Sequence, residues 1–352
     1  MDAEDITDIF DSSLTTIFDI PPIGFAPDHS TGLYVYNPSP LPSVDVYPSG
    51  SLESSASATT RAGHRRRPVE LRLPQPPSNL YTTLQANLIW PSALYLADLL
   101  VYGQINVKEK KVAELGAGAG LPGIVALRDG GAEGVVSTDW GVKEVLSVLE
   151  DNFTRACRAE DGSAVDQVRK CGQERDTEDL LSPWKVVGHQ WGTDPAPLLN
   201  ALPSSNPTSH ASSLLSELPH EPRTEPADTV ATSSDQLGRH SDPDGKFDIL
   251  LLADVLWTTS SHCVLLDSIN NILRRPSPQY PGAYGEAHIT AGLHTGRGPV
   301  KRFIASAEER GMKIHMVREV RLGRNGWEEY DESLAKPGEE ERGVVVYFTL
   351  RL

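Results

Sequence analysis

Short apolar runs and stretches with apolar residues at helical spacing alternate along the second part of this chain. LQANLIWPSALYLADLL (84–100) places Leu88, Ile89, Ala93, Leu96, Ala97 and Leu100 on one helical face, with Pro91 early, where a helix tolerates it. VAEL (112–115) predicts a strand, LPGIVALRDG (121–130) a helix stopped by its glycines, and AEGVVSTD (132–139) a second strand. VKEVLSVLEDNF (142–153) puts Val142, Val145, Leu146, Leu149 and Phe153 on one helical face, and WKVVGHQW (184–191) reads as a short strand. FDILLLAD (247–254) is almost continuously apolar, as in a strand covered on both faces. HCVLLDSINNILRR (262–275) and VKRFIASAEERG (300–311) predict helices, AHITAGLH (287–294) a strand between them, and MKIHMVREV (312–320) and GVVVYFTL (343–350) a closing strand pair. Strand–helix alternation ending in a strand pair implies an α/β fold with a mostly parallel, doubly wound sheet.

Composition divides the 352 residues unevenly. The apolar fraction is 39%, and the deficit is local: residues 37–79 are rich in Pro, Ser and Arg, as is much of 203–245. Neither tract buries enough apolar surface to offset chain entropy, so both are expected to be disordered. The expected organisation is a largely disordered or loosely docked extension over 1–80, then one domain over 81–352 with a disordered insertion at about 197–245. Scattered hydrophobes before it (Ile9, Phe10, Ile17, Phe18, Tyr34, Tyr36) have no assigned place. Cys157, Cys171 and Cys263 have no paired or metal-like spacing, which points to a reducing compartment and no metal. No run of 18 apolar residues exists, so no membrane span is expected. The N-terminus, MDAEDITDIFDSSL, lacks a positive n-region, so a cytoplasmic location is expected. RAGHRRR (61–67) suits either a nuclear signal or, more plainly, a solvated tail. The net charge of −16 disfavours a nucleic-acid backbone as partner and suits a small molecule or a basic protein. A monomer is expected.

Residues 112–123, VAELGAGAGLPG, carry the candidate chemistry. A strand breaks into a loop with glycines at 116, 118 and 120, where backbone can approach a nucleotide-like ligand. Asp139 ends the next strand, where a carboxylate can accept hydrogen bonds from both ribose hydroxyls. A dinucleotide fingerprint in this register requires glycine where Leu121 stands. The chain has E-x-G-x-G-x-G instead, with Glu114 two residues ahead of Gly116. This resembles motif I of the S-adenosylmethionine-dependent methyltransferases, and an acidic loop suits that cofactor's ammonium and sulfonium better than a pyrophosphate. An unliganded glycine turn is the plain alternative.

Four further features make the chain similar to the seven-β-strand lysine methyltransferases (methyltransferase family 16), and to fungal members labelled nicotinamide N-methyltransferase-like that include a translation elongation factor methyltransferase. They are Trp90 before motif I, VVSTD ending in Asp139, Trp191–Gly192 after a strand, and KFDILLLADVLW. The resemblance covers roughly 81–195 and 246–320. It implies the class I methyltransferase fold, with seven strands and an antiparallel last strand, and S-adenosylmethionine as cofactor. It implies roles as well: Trp90 and Trp191 lining the cofactor site, Glu114, Gly116, Gly118 and Gly120 in the loop that holds the methionine end, Asp139 on the ribose, Trp140 on the adenine, and Ala253 touching the cofactor through its backbone. Asp254 would face the substrate amine beside the methyl group, and Trp257 stands where the family usually has Tyr, offering a π-face without a hydroxyl. Each has a plainer alternative: core packing for the tryptophans, a helix cap for Asp254. Trp184 and Trp327 read as packing residues, and His294 as a surface-loop histidine.

The resulting expectation is an N-methyltransferase acting on lysine or an N-terminal amine of a protein, a translation factor being one candidate. The alternatives are a small-molecule, nicotinamide-like N-methyltransferase, disfavoured because no lid element is legible, and a non-catalytic scaffold that binds the cofactor.

Overall fold

The computed structural model describes residues 24–42, 68–80, 84–157, 182–202, 246–276, 284–334 and 341–352. The RAGHRRR run, the 203–245 tract, Cys171 and the hydrophobes between Ile9 and Phe18 lie outside them.

The chain runs β1 (Tyr34–Tyr36), β2 (Val69–Leu71), α1 (Pro91–Val101), β3 (Lys111–Leu115), α2 (Leu121–Arg128), β4 (Gly134–Asp139), α3 (Lys143–Cys157) and β5 (Trp184–Gly188). It continues through β6 (Ile249–Ala253), α4 (His262–Ile272), β7 (Glu286–Gly292), α5 (Gly298–Glu309), β8 (Lys313–Gly323), β9 (Gly326–Glu329) and β10 (Val344–Arg351). The main sheet has the order β5-β4-β3-β6-β7-β10-β8-β9. From β5 to β7 every pairing is parallel, while β10 inserts antiparallel to both β7 and β8. This is the class I methyltransferase topology, with β9 as an eighth strand that a hairpin adds to the expected seven.

Residue alternation along the central strands splits the core into two layers. Val112, Val135, Ile249 and Leu251 face α1, α2 and α3. Ala113, Leu115, Val136, Leu250 and Leu252 face α4 and α5. Both faces of these strands are covered, which is why their sequences read as nearly unbroken apolar runs.

Two departures from the predicted bounds bear on the site. The helix expected over 84–100 begins at Pro91, because proline favours the first helical position and Trp90 is extended (ψ 146°). Leu88 and Ile89 thus precede the helix, and Ile89 makes a backbone bridge to Phe25. The strand expected over 184–191 pairs with β4 only as far as Gly188, leaving Trp191 beyond it.

Parts of the first 80 residues pack tightly. β1 and β2 form an antiparallel pair, and Tyr36, Val69 and Leu71 are buried. Residues 196–199, at the start of the expected insertion, form a helical turn that buries Leu198. Buried Asp98 of α1 gathers the N-terminal segment and β9. Its carboxylate accepts from the Tyr36 hydroxyl (2.5 Å), the Ser39 amide (3.1 Å) and Trp327 Nε1 (2.7 Å). Trp184 and Trp327 are packing residues as expected, Trp184 stacking on Phe153 at 5.2 Å.

Burial pushes the Asp98 carboxyl up to about 7, against the pull of its three donors. The folded state therefore holds this proton more tightly than the unfolded chain. Its contribution is full below the unfolded carboxyl range and is lost as pH rises through about 7. Asp98→Ala, which strands three donors, is expected to lose roughly 2–4 kcal/mol in urea unfolding. Asp98→Asn is expected to flatten the fall in stability between pH 5 and pH 8, measured the same way.

Candidate functional site

The carboxyl ends of β3, β4 and β6 surround a cavity of about 250 Å³. Helical connections leave the sheet to opposite faces on either side of β3, opening a crevice where ligands bind in doubly wound folds.

The glycine loop forms its floor. Gly116, Gly118 and Gly120 all have positive φ (72°, 53° and 81°), a conformation side chains resist. At Gly116 a Cβ would meet Val255 Cγ1 at 2.7 Å and Trp191 Cζ2 at 3.4 Å, so the loop touches the turn after β6 and the one after β5. At Gly118 a Cβ would find nothing nearer than Ala86 at 4.0 Å, and the backbone there borders the cavity. Gly120 differs from expectation. It does not line the cavity, and its missing Cβ admits Leu149 and Phe153 of α3 instead.

Two carboxylates fix the loop. Glu114 of β3 is buried, accepts from the Ser137 hydroxyl (2.5 Å) and the Gly123 amide, and is pushed up to about 7 by burial. Asp139, at the end of β4, accepts from the Gly118 amide (2.7 Å) through one oxygen and from the Trp140 amide (2.7 Å) through the other. It remains partly exposed at the cavity wall, with lone pairs left for hydroxyl donors.

Aromatic side chains make the other walls. Trp90 donates Nε1–H to the Gln85 carbonyl (3.0 Å), which closes the segment ahead of α1 into a wall. The amide bridge from Phe25 to Ile89 (2.8 and 3.0 Å) braces it from outside. Trp191 lines the cavity because Gly192 turns the chain with φ 81°, sits tight against Val264, and donates its amide to Ser268 Oγ at 2.8 Å. Trp140 is 44% exposed at the mouth. Buried His189, missed from sequence, also lines the cavity, bonded to Ser268 Oγ at 3.2 Å, and burial lowers its pKa.

Ala253, Asp254 and Trp257 line the far end. Asp254 lies just past β6 with φ 56°, held by its amide on the Thr290 carbonyl (2.8 Å). Its Oδ1 accepts from the Gly292 amide (3.1 Å), and its buried Oδ2 has no hydrogen-bond partner among the described residues. It caps no helix, because α4 begins at His262 behind a 3-10 turn over Thr259–Ser261. His294 is no surface-loop residue. Its ring stacks on Trp90 (4.7 Å, 26°), and Nδ1 lies 3.9 Å from Asp254 Oδ2.

A family model described as lysine methyltransferase matches residues 80–181. Over that stretch the chain is similar to the lysine methyltransferases. Relatives named protein N-terminal and lysine N-methyltransferase EFM7 occur in several fungi. The one from Candida albicans is 28% identical over 196 residues, covering 55% of this chain and 55% of its own length. The Neurospora crassa relative is 27% identical over 272 residues (77% and 75%), and the Schizosaccharomyces pombe relative 42% over 112 residues (32% and 35%). The match to the Candida protein thus spans little more than half of it.

This similarity makes S-adenosylmethionine the cofactor to test against this cavity, and the residues fit it. The open face of Gly118 leaves room for a ligand beside the backbone, Asp139 has spare acceptors for ribose hydroxyls, and Trp191 and Trp140 offer ring faces. Asp139→Ala removes both the hydroxyl acceptor and the anchor of the Gly118 amide. It is expected to weaken S-adenosylhomocysteine binding at least tenfold in calorimetry while the protein stays folded by circular dichroism.

Proposed function

We propose that this chain is an S-adenosylmethionine-dependent N-methyltransferase that modifies a lysine or N-terminal amine of a protein. The carrying observation is the buried, unpartnered Oδ2 of Asp254 at the cavity wall, a position that calls for a hydrogen-bond donor or a cation. The names of the fungal relatives support the same acceptor class.

Bound S-adenosylmethionine supplies a methyl group already activated by its sulfonium, so the protein's work is alignment. An acceptor ammonium, with a reference pKa of ~10.4, must lose a proton before its lone pair can attack. Two effects of burial favour this. Desolvation weakens the ammonium's hold on its proton. The same burial raises the pKa of Asp254, with the His294 charge and the Gly292 amide opposing, which makes its carboxylate a stronger acceptor. Asp254 orients the amine and takes the proton, and the Trp257 ring forms an aromatic wall beside it.

The finer assignments form part of the same proposal: a translation factor as acceptor, a monomeric enzyme, and action in the cytoplasm. The net charge of −16 suits a basic protein partner.

The test is tritium transfer from labelled S-adenosylmethionine to yeast lysate proteins and, separately, to nicotinamide. The expected result is label in protein. Asp254→Ala should lower it about 100-fold, the low end for a lost acid–base group, while binding S-adenosylhomocysteine within about threefold of wild type. Label only in nicotinamide would replace the proposal with the small-molecule reading. No transfer at all would leave a scaffold.

A further inference from the structure

We propose that His294 is a positioning residue that joins the two halves of the site, bracing the Trp90 wall with its ring and holding the Asp254 carboxylate toward the acceptor amine with Nδ1. The inference rests on the methyltransferase reading above.

The geometry is specific. β7 ends at Gly292, and a 3-10 turn over Leu293–Thr295 carries His294 back toward the cavity. A Cβ on residue 292 would lie 2.7 Å from His294 Nδ1 and 3.5 Å from Asp254 Oδ1. The missing side chain is therefore what lets the imidazole reach the carboxylate. One face of the ring is already against Trp90 at 4.7 Å. The other contact, 3.9 Å from Nδ1 to Oδ2, is longer than a hydrogen bond, and Oδ2 is otherwise unpartnered. Such contacts commonly tighten when a ligand arrives. His294 does not itself line the cavity, so it acts through Asp254 rather than on substrate.

A donor beside Oδ2 does two things. It fixes the rotation of the carboxylate, and it favours the ionised form that an acceptor ammonium requires. The other groups against this carboxylate, Ser92 of α1 and the Gly292 amide, carry no charge. His294 is thus the titratable neighbour facing Asp254 among the described residues.

Sinefungin tests this without a protein substrate, because it carries an amine where S-adenosylmethionine carries its methyl group. Its affinity relative to S-adenosylhomocysteine reads how well Asp254 receives a cation. In the full chain, His294→Phe keeps an aromatic ring on Trp90 and removes the donor. We expect S-adenosylhomocysteine affinity within threefold of wild type and a loss of about tenfold in the sinefungin preference at pH 7. Part of that preference should return as pH is raised, because burial holds the Asp254 carboxyl above its ordinary range. His294→Gln, which retains a donor, should keep the preference within threefold, and His294→Ala serves if the Phe variant does not fold. An unchanged preference in His294→Phe, or an equal loss of both ligands, would overturn the proposal. A wild-type protein that binds neither ligand would overturn the methyltransferase reading beneath it.

Discussion

Parallel pairing of β3 with β4 on one side and β6 on the other sets the position of every group in this site. Glu114 stands opposite Ser137 across the first pairing and opposite Leu251 across the second. That register ends the three strands at nearly one level, so the glycine loop, Asp139 and Asp254 emerge around a single crevice. A slip of one residue would turn every inward side chain of the slipped strand to the opposite layer of the core. Two long-range bonds confirm the register locally: Thr138 Oγ1 donates to the Glu114 carbonyl, and the Ala117 amide donates to the Thr138 carbonyl, both at 2.9 Å.

The two carboxylates at the cavity ends differ by their surroundings. Asp139 is partly exposed and accepts two backbone amides, so its carboxylate is fixed in place with lone pairs to spare. Asp254 is buried with one oxygen satisfied and one not, which is costly unless a ligand completes it. In the proposed function, this contrast between environments, rather than any difference in residue type, separates the cofactor end from the acceptor end.

The parts visible in sequence were those governed by local rules. Buried parallel strands announce themselves as apolar runs, and positive-φ loops as glycines, so β3, β4, β6, the motif loop, Asp139 and Asp254 could be placed from residues alone. Local rules also misled. Leu88 and Ile89 match helical spacing, yet they serve as cavity wall and N-terminal bridge. Gly120 shares the alternation of its neighbours, but its vacancy belongs to α3. β9 has too few apolar positions to stand out as a strand. His294 and Asp98 were out of reach for another reason. Their roles depend on partners far away in sequence, Trp90 and Asp254 for one, Tyr36 and Trp327 for the other.

The most direct test of this account is a crystal structure of the protein with S-adenosylhomocysteine. It should show the ribose hydroxyls on Asp139, the amino-acid end beside Gly116 and Gly118, and the sulfur open toward Asp254. A ligand bound in reverse, or seated outside the crevice between β3, β4 and β6, would contradict it.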